Sequence, residues 1–282
     1  MIKRILSKII ERFLPKNLPS FLVIGAQKCG TTSLHYYLEQ HPKLVGSTFK
    51  ELHFFNKDMR LGKGVDEYSK CFRGYRKEGV QFFESTPAYL YHPHVANAIK
   101  SHLPDARLIV VLRDPVKRAC SAWNHYRQLF ELDKDKKKFE NKPRLNGNLL
   151  YESYFKGRDV FPSFQECINI ELELIKQGNG FEPALLRRGL YLDQLEVYWK
   201  YFDRDKILII GFEDFISDIK GTLSRVEDFL GVKKHHWENL QFEPRNKRVY
   251  GEKIKKSDLV FLEDFYSQAN ERLFKEIGEL NW

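Results

Sequence analysis

The amino-acid sequence predicts an α/β fold in which a central, mostly parallel sheet is flanked by helices. Apolar runs of strand length alternate along the chain with segments that have the spacing of amphipathic helices. The runs are apolar on both faces, which is typical of buried parallel strands. Several runs end in polar residues, and the ligands of such sheets bind beyond the carboxyl ends of the strands. The same pattern therefore predicts where a binding site lies.

Four strands are predicted in chain order. They are FLVIGA (21–26), VQFFES (80–85), RLIVVLRD (107–114) and KILIIGFED (206–214). We expect the polar groups that follow the first three strands to face one crevice. These groups are Lys28–Thr32, Glu84–Thr86 and Arg113–Asp114.

Helices are predicted between and after these strands. Thr31 and Thr32 are expected to cap the first helix, which ends at the His-Pro pair 41–42. The other helices are expected from Pro115 through Tyr126, near 163–177, at 189–202, through Val226 and Phe229, and at 257–277. No repeat or Pro/Gly/Ser linker divides the 282 residues. We therefore expect one domain over residues 21–282, preceded by an N-terminal extension over residues 1–20.

The composition narrows the class of partner and the compartment. Lysine and arginine outnumber the acids 47 to 38, and the net charge of +9 favours anionic partners. The basic residues form no long run, so nucleic acid is not predicted. The four cysteines lack the spacing of a zinc site or of a disulfide framework, which predicts reduced thiols in a cytoplasmic protein. The histidine pairs have no completing ligands, so no metal is predicted.

The first sixteen residues, MIKRILSKIIERFLPK, form a basic amphipathic pattern. Charges interrupt every apolar run, so this is not a signal peptide, and no stretch of the chain has the length of a membrane span. A helix over residues 2–16 would suit an anionic membrane surface. Packing of the same apolar face against the domain is the alternative.

The stretch FLVIGAQKCGTTSL (21–34) has the glycine spacing of a phosphate-binding loop. Nucleoside triphosphatases carry a lysine directly after the second glycine, but Thr31 stands there and the only lysine is Lys28. Backbone N–H groups at the start of the following helix, with nearby hydroxyls, favour an anion. A capped helix after an ordinary glycine turn is the alternative.

The stretch RDPVKRACSAWNHY (113–126) offers a second set of anion ligands. Arg113 leaves the third strand towards the crevice, and its planar fork suits a phosphate, to which the Ser121 hydroxyl would add a hydrogen bond. A surface pair between Arg113 and Asp114 is the alternative.

The stretch KELHFF (50–55) offers a candidate base. The Glu51 carboxylate could remove a proton from an acceptor group, and the imidazole of His53 could orient it or stabilise charge. A short strand with Lys50, Glu51 and His53 in solvent is the alternative.

Taken together and in this order, the three stretches resemble the sulfotransferases that use 3′-phosphoadenosine 5′-phosphosulfate (PAPS). The resemblance is closest to the branch with the heparan sulfate 3-O-sulfotransferases and the sulfotransferase domain of the N-deacetylase/N-sulfotransferases. It extends over most of the chain and includes ESTPAYL (84–90), RGLYLDQLEVYWKYF (188–202) and KILIIGFEDF (206–215). It implies a P-loop-like fold, and transfer of the sulfuryl group from PAPS to a hydroxyl or amine of a carbohydrate, without metal. The product nucleotide would be 3′,5′-adenosine bisphosphate (PAP).

The resemblance also implies a role for individual residues. Glu51 would be the catalytic base with His53 as its neighbour, and Lys28 would lie near the bridging oxygen of the phosphosulfate. The co-substrate would be held by Lys28, Cys29, Gly30, Thr31, Thr32, Ser33, Arg113, Ser121, Arg188, Tyr191, Lys247 and Tyr250. The late stretch NKRVYG (246–251), which contains the last two residues, matches more loosely.

Two departures from the resemblance bear on the acceptor and the compartment. Ser85 stands where the heparan sulfate 3-O-sulfotransferases have a catalytic lysine. The paired cysteines near the C-terminus of those lumenal enzymes are missing, which favours a cytosolic relative with, at most, peripheral membrane contact. A P-loop kinase-like phosphotransferase and a noncatalytic polyanion- or membrane-binding protein are the alternatives. The sequence leaves open the acceptor, the choice between O- and N-sulfation and the oligomeric state.

Overall fold

Five parallel strands form one sheet in the computed structural model, which describes residues 17–59, 62–72, 78–132, 149–178, 182–237 and 254–282. The strands are β1 (Phe21–Gly25), β2 (Leu44–Gly46), β3 (Gln81–Ser85), β4 (Arg107–Leu112) and β5 (Ile207–Gly211). Their order across the sheet is β2-β3-β1-β4-β5, and every pairing is parallel. The predicted α/β fold with a parallel sheet is therefore confirmed.

The central position of β1 determines where the site lies. β1 pairs with β3 on one side, where Val23 is opposite Ser85, and with β4 on the other, where Gly25 is opposite Val110. The chain thus leaves the middle of the sheet at Gly25, between the carboxyl ends of β3 and β4. A crevice at such a reversal of strand order is the usual ligand position in open α/β sheets.

Helices connect and cover these strands. They are α1 (Thr31–Glu39), α2 (Val65–Ser69), α3 (Pro93–His102), α4 (Pro115–Leu132), α5 (Leu149–Tyr154), α6 (Phe164–Lys176), α7 (Tyr191–Trp199), α8 (Phe212–Ser217), α9 (Ile219–Leu230) and α10 (Lys256–Ile277). A π-helical turn covers Phe54–Asp58, and 3₁₀ turns cover Arg187–Gly189 and Arg204–Lys206. Each helix predicted within the described residues is present, whereas α2, α3, α5, α8 and the three-residue strand β2 were not predicted. The predicted fourth strand is also too long, since β5 ends at Gly211 and residues 212–214 begin α8.

The apolar residues form two clusters. One surrounds the sheet and includes the fully buried residues of β1 and β4. The second lies where α4, α5, α6 and α10 meet, around Trp123, Tyr154 and Tyr266. The second cluster packs against α4 over most of its length, and α4 starts at the carboxyl end of β4.

Two sequence predictions concern the N-terminal part of the chain. The helix predicted over residues 2–16 lies outside the described residues, and the boundary between residues 20 and 21 stays a prediction. Within the described ranges, no helix combines the length and the apolar character needed to cross a membrane.

Candidate active site

The 26–33 loop connects β1 to α1 through two residues in the left-handed region. Lys28 has a φ of 70° and Gly30 a φ of 79°. Gly30 takes the N-cap position of α1, without a side-chain cap. The prediction that Thr31 and Thr32 cap this helix is wrong, because the left-handed turn makes Thr31 the first helical residue. The first-turn N–H groups of α1 therefore point out of the helix without a capping side chain, which suits an anion.

The two glycines of the motif are required by close packing. A Cβ on Gly25 would lie 2.6 Å from the Cβ of Leu90, and one on Gly30 would lie 2.8 Å from the ring of Phe212. At Gly30 the positive φ adds a conformational cost for any other residue. Glycine is thus needed at both positions because the loop packs directly against the turn after β3 and against α8.

Cys29 directs its side chain into the core. Its Sγ lies 3.8 Å from the Tyr191 hydroxyl and 3.6 Å from the carbonyl oxygen of Gln27. Burial, opposed by the nearby arginines Arg118 and Arg113, raises the pKa of the thiol to about 11. The side chain of Cys29 is therefore not available to a ligand.

Arg113 joins the end of β4 to this loop. Its Nη1 donates to the carbonyl oxygen of Lys28 at 3.4 Å, its guanidinium stacks 4.6 Å from the Phe212 ring, and its carbonyl accepts from the Tyr191 hydroxyl at 2.8 Å. Its Nε is buried without a hydrogen-bond partner in the described part of the chain. The guanidinium therefore has donor capacity beside the loop.

The alternative for Arg113, a surface pair with Asp114, is not what the structure contains. Asp114 caps α4 instead, since its Oδ1 accepts the N–H groups of Val116 at 2.7 Å and Lys117 at 3.2 Å. Ser121 is buried in the second turn of α4. The cap fixes the start of α4 next to Arg113.

The 50–56 segment bends around the carboxyl end of β3. The Glu51 N–H donates to the carbonyl oxygen of Ser85 at 3.0 Å. Glu51 has a φ of 65° and His53 a φ of 56°, and the π-helical turn begins directly afterwards. The alternative of a short strand is therefore wrong, because a strand requires negative φ throughout. Left-handed residues other than glycine carry strain that the surroundings must offset.

The charges around Glu51 keep it ionised. Lys50 Nζ lies 2.6 Å from Glu51 Oε1, and His53 Nε2 lies 3.8 Å from Glu51 Oε2. Burial alone would raise the pKa of Glu51, but Lys50, with smaller contributions from His53 and His125, holds it below its ordinary value. The side chain is 46% exposed, so it remains accessible from the crevice.

His53 is neutral beside this carboxylate. Burial, reinforced by the charges of Lys57 and Arg188, lowers the pKa of His53 to about 4 despite the opposing effects of Glu51 and Asn56. Its Nδ1 lies 3.3 Å from Asn56 Oδ1, which fixes the ring. A neutral imidazole does not neutralise Glu51, so the carboxylate remains able to accept a proton.

Arg188 and Tyr191 make different contacts near the crevice. Tyr191 is under the 26–33 loop, as described above, whereas Arg188 is buried 4.4 Å above the Tyr91 ring and pairs with Glu182. Arg188 also contributes to the low pKa of His53 and of His92, which burial chiefly causes and which is about 3 for His92. The structure thus places Arg188 near the 50–56 segment.

Sequence reasoning missed two residues of the site. His125 acts electrostatically on Glu51, and His92 is coupled to His53. The signal for His125 was its spacing of four from Ser121, which puts both on one face of α4. No local signal marks His92, which reaches the site because α3 starts there.

The predicted crevice residues after β3 do not behave as expected. Glu84 faces the core rather than the crevice, where it is 0% exposed among aromatic residues. Ser85 is also buried, and its Oγ lies 2.8 Å from Nδ1 of His35 in α1. Ser85 therefore brings no charge to the site, and Lys50 provides the cation next to Glu51.

Two further predictions, the roles of Lys247 and Tyr250 and the absence of a metal, are not tested by the described residues. Lys247 and Tyr250 lie outside the described residues. Among the residues that are described, no group of three or more His, Cys, Asp or Glu side chains is placed to hold a metal ion. The absence of a metal requirement stays a prediction. The four cysteines, all of which are described, are free thiols.

Comparison with known proteins identifies relatives over nearly the whole chain. The membrane-associated sulfotransferase kil1 of Dictyostelium discoideum is 27% identical over 94% of this chain and 66% of its own length. The mouse bifunctional heparan sulfate N-deacetylase/N-sulfotransferase 4 is 30% identical over 81% of this chain and 24% of its own length. The mouse heparan sulfate glucosamine 3-O-sulfotransferase 3A1 is 30% identical over 78% of this chain and 47% of its own length. This chain thus spans from a quarter to two thirds of these relatives.

A solved structure and a family match agree with these relatives. The crystal structure of a sulfotransferase from Alicyclobacillus acidocaldarius has a TM-score of 0.67 and 27% identity, over 94% of this chain and 97% of that one. The family described as the sulfotransferase domain matches residues 18–263. The sheet, the glycine loop after β1 and the match over most of the chain lead to one assignment: this chain belongs to the sulfotransferase domain family and is a sulfotransferase enzyme.

Proposed function

We propose that this enzyme transfers the sulfuryl group of PAPS to a hydroxyl or amine of a saccharide, with Glu51 as the general base. The observation that carries the proposal is the Glu51 carboxylate, 2.6 Å from Lys50 Nζ and 3.8 Å from His53 Nε2, at the same end of the sheet as the 26–33 loop. A base and an anion-binding loop on neighbouring strand ends are what an in-line transfer needs.

The residues on the loop side fit a nucleotide with two anionic groups. The first-turn N–H groups of α1, the hydroxyls of Thr31–Ser33 and Lys28 would hold the 5′-phosphosulfate. Arg113 and Ser121 would hold the 3′-phosphate, and the partnerless Nε of Arg113 supports this role. PAPS supplies the activated sulfuryl group when bound. Lys28 and the N-terminus of α1 would then stabilise negative charge on the bridging oxygen.

The residues on the other side fit deprotonation of an acceptor. Lys50 occupies Oε1 of Glu51, so Oε2, which faces His53, is the oxygen that would accept the proton. Deprotonation by a positioned carboxylate strengthens the acceptor as a nucleophile. Lys50 places a positive charge at this point, which is compatible with an acidic saccharide as the acceptor class. The names of the heparan sulfate relatives point in the same direction.

Sulfuryl transfer and nucleotide binding test the proposal directly. We expect calorimetry to detect PAP binding, and labelled PAPS to transfer sulfate to at least one member of a panel of N-acetylated and N-unsubstituted heparosan, chondroitin and simple phenols. Transfer that persists in EDTA would support the metal-free prediction. Failure to bind either PAPS or PAP would overturn the proposal, and magnesium-dependent ATP turnover would support a kinase instead.

The compartment and the N-terminal extension remain predictions. The relative kil1 is described as membrane-associated, and residues 2–16 carry the basic amphipathic pattern. We infer a peripheral membrane contact through this segment, in a cytoplasmic protein. Co-sedimentation with vesicles that contain phosphatidylserine tests it, and deletion of residues 2–16 should abolish the binding. Equal sedimentation of the full and shortened chains would contradict it.

A further inference from the structure

Glu84 is a buried carboxylate to which the proposed chemistry gives no role. It lies one residue before the end of β3 and is 0% exposed. Three hydroxyls donate to it: Tyr68 and Tyr89 to Oε1, at 2.6 Å and 2.9 Å, and Thr86 to Oε2, at 3.1 Å. A carboxylate in an apolar interior is costly unless hydrogen bonds compensate for the lost water. It lies directly behind the 50–56 segment, to which two of its hydrogen-bond donors are also bonded.

Two hydroxyls connect this carboxylate to the segment, and each donates to the carboxylate and accepts a backbone N–H of the segment. The Thr86 hydroxyl has one proton, which it donates to Glu84, so its oxygen is left to accept the N–H of His53 at 3.4 Å. In the same way, the Tyr89 hydroxyl donates to Glu84 and accepts the N–H of Phe55 at 3.3 Å. We call Glu84, Thr86 and Tyr89 the hydroxyl relay. An acceptor at Glu84 is what orients both hydroxyls towards the carboxylate.

The segment that receives these bonds needs external support. Glu51 and His53 both have left-handed backbones, which are strained unless the surroundings compensate. Tyr68, the third donor to Glu84, stacks on Phe54 with the ring centroids 4.3 Å apart. The relay and this stacking fix the backbone on both sides of Phe54, directly after the two residues that carry the chemistry.

We propose that Glu84 is a positioning residue, which through Thr86 and Tyr89 holds the backbone of residues 53–55 so that His53 and Glu51 keep their mutual placement. The inference rests on the proposed function, in which Glu51 is the base. Glu84 itself touches neither Glu51 nor the crevice, and its effect on the reaction passes through the two hydroxyls.

The protonation of Glu84 gives the relay a characteristic pH dependence. Burial raises the pKa of Glu84 to about 7, against the lowering effect of its bonds from Tyr68, Tyr89 and Thr86, and those are the groups that face it. Below this pH the protonated acid itself donates a hydrogen bond, so one of the three hydroxyls that face it, Thr86, Tyr89 or Tyr68, must accept instead of donate. The folded-state pKa is above its ordinary value, so this group's contribution to folding stability is greatest at low pH and is lost as the pH rises towards 7. Turnover should change in the opposite direction.

The test compares kcat, the PAP dissociation constant and the melting temperature of matched variants. In Glu84→Gln the amide is a permanent donor, so we expect kcat to fall about tenfold and to lose the wild-type decline below pH 7, with PAP affinity within about twofold. Thr86→Val should show a similar loss, and Thr86→Ser, which keeps the hydroxyl, should recover most of kcat. The double variant Glu84→Gln/Thr86→Val should be no worse than either single variant, since both break one relay.

Glu227→Gln provides a control for the loss of a buried carboxylate. Glu227 is 1% exposed and accepts from the His235 N–H at 2.9 Å and from Trp237 Nε1 at 3.0 Å, away from the 50–56 segment. We expect it to lower the melting temperature and to leave kcat unchanged. A lower melting temperature with wild-type kcat and pH profile in Glu84→Gln would overturn the inference. If Glu84→Gln does not fold, equal kcat for Thr86→Val and Thr86→Ser would do so.

The outcome also separates this inference from the proposed function. Loss of turnover in Glu51→Gln together with a normal Glu84→Gln would refute only the role of Glu84. Retained turnover in Glu51→Gln would refute the proposed base, whatever the Glu84 variants show.

Discussion

The two sides of the crevice are held in place by different kinds of contact. The 26–33 loop takes its shape from neighbours in sequence, namely the left-handed Lys28 and the Gly30 cap of α1. The 50–56 segment takes its shape from residues more than thirty positions later in the chain, through the bonds from Glu51 to Ser85 and from His53 to Thr86. The turn of the loop therefore has a local signature in its glycines, although Leu90 and Phe212 also pack against them, whereas the bend of the 50–56 segment depends on tertiary hydrogen bonds alone.

The two regions also differ in the groups that they offer to a substrate, which are backbone N–H groups in the loop and reactive side chains in the 50–56 segment. The 26–33 loop offers mainly backbone N–H groups, and at Cys29 the side chain points away from them. The 50–56 segment acts through side chains whose protonation depends on neighbours such as Lys50 and Arg188. Substitutions in the two regions should therefore affect different measured quantities, binding in the first case and turnover in the second.

The strongest test of this contrast is Glu51→Gln. The amide keeps the shape of the side chain but cannot accept the proton, so kcat should fall by about 10²–10⁴, the usual contribution of a general base. PAP affinity should stay within about twofold, because Glu51 is outside the 26–33 loop. Glu67→Gln, which alters an exposed carboxylate paired with Lys70 at 2.5 Å, is the control and should keep wild-type kcat. Loss of PAP affinity equal to the loss of kcat would break the contrast.

The next largest effect is expected for Arg113→Ala. Removal of a charged donor from a bound phosphate costs about 2 kcal/mol, or roughly 30-fold in PAP affinity. Adenosine 5′-monophosphate, which lacks the 3′-phosphate, should lose much less. Arg107→Ala removes an arginine from the other end of the same strand, where Nη1 donates to the Leu230 carbonyl at 3.3 Å, and should leave both affinities unchanged. Equal losses for the two nucleotides in Arg113→Ala would refute the 3′-phosphate role.

The fold was predictable because burial on both faces leaves a clear pattern in β1 and β4. Both strands are runs of apolar residues that are almost completely buried. β2 has three residues, of which only Leu44 is buried, so no apolar run marked it. The capping error at Thr31 has a similar local cause. Threonine is a common cap, but the left-handed Gly30 moves the start of the helix by one residue.

The site was predictable only where short sequence motifs determine the geometry. Arg113 directly follows a strand, and its place beside the loop follows from the parallel register of β1 and β4. The inward direction of Glu84 did not follow from the sequence, because acidic residues at strand ends usually face solvent or ligand. Its burial depends on Tyr68 and Tyr89, which come from separate elements. Arg188 likewise depends on Tyr91 and Glu182 for its position.

The smallest effect on function is expected for Cys29→Ala, although the residue lies in the middle of the 26–33 loop. Its thiol is buried against the Tyr191 hydroxyl, so its side chain should make no contact with a bound nucleotide. We expect PAP affinity within about twofold of wild type, and an unfolding free energy lower by about 1 kcal/mol from the small cavity. Calorimetry and thermal unfolding measure the two quantities separately, with Arg113→Ala as the reference for a true loss of affinity. A tenfold loss of PAP affinity in Cys29→Ala would mean that side-chain packing beneath the loop controls its backbone, and that the two sides of the crevice are held in more similar ways than the contacts indicate.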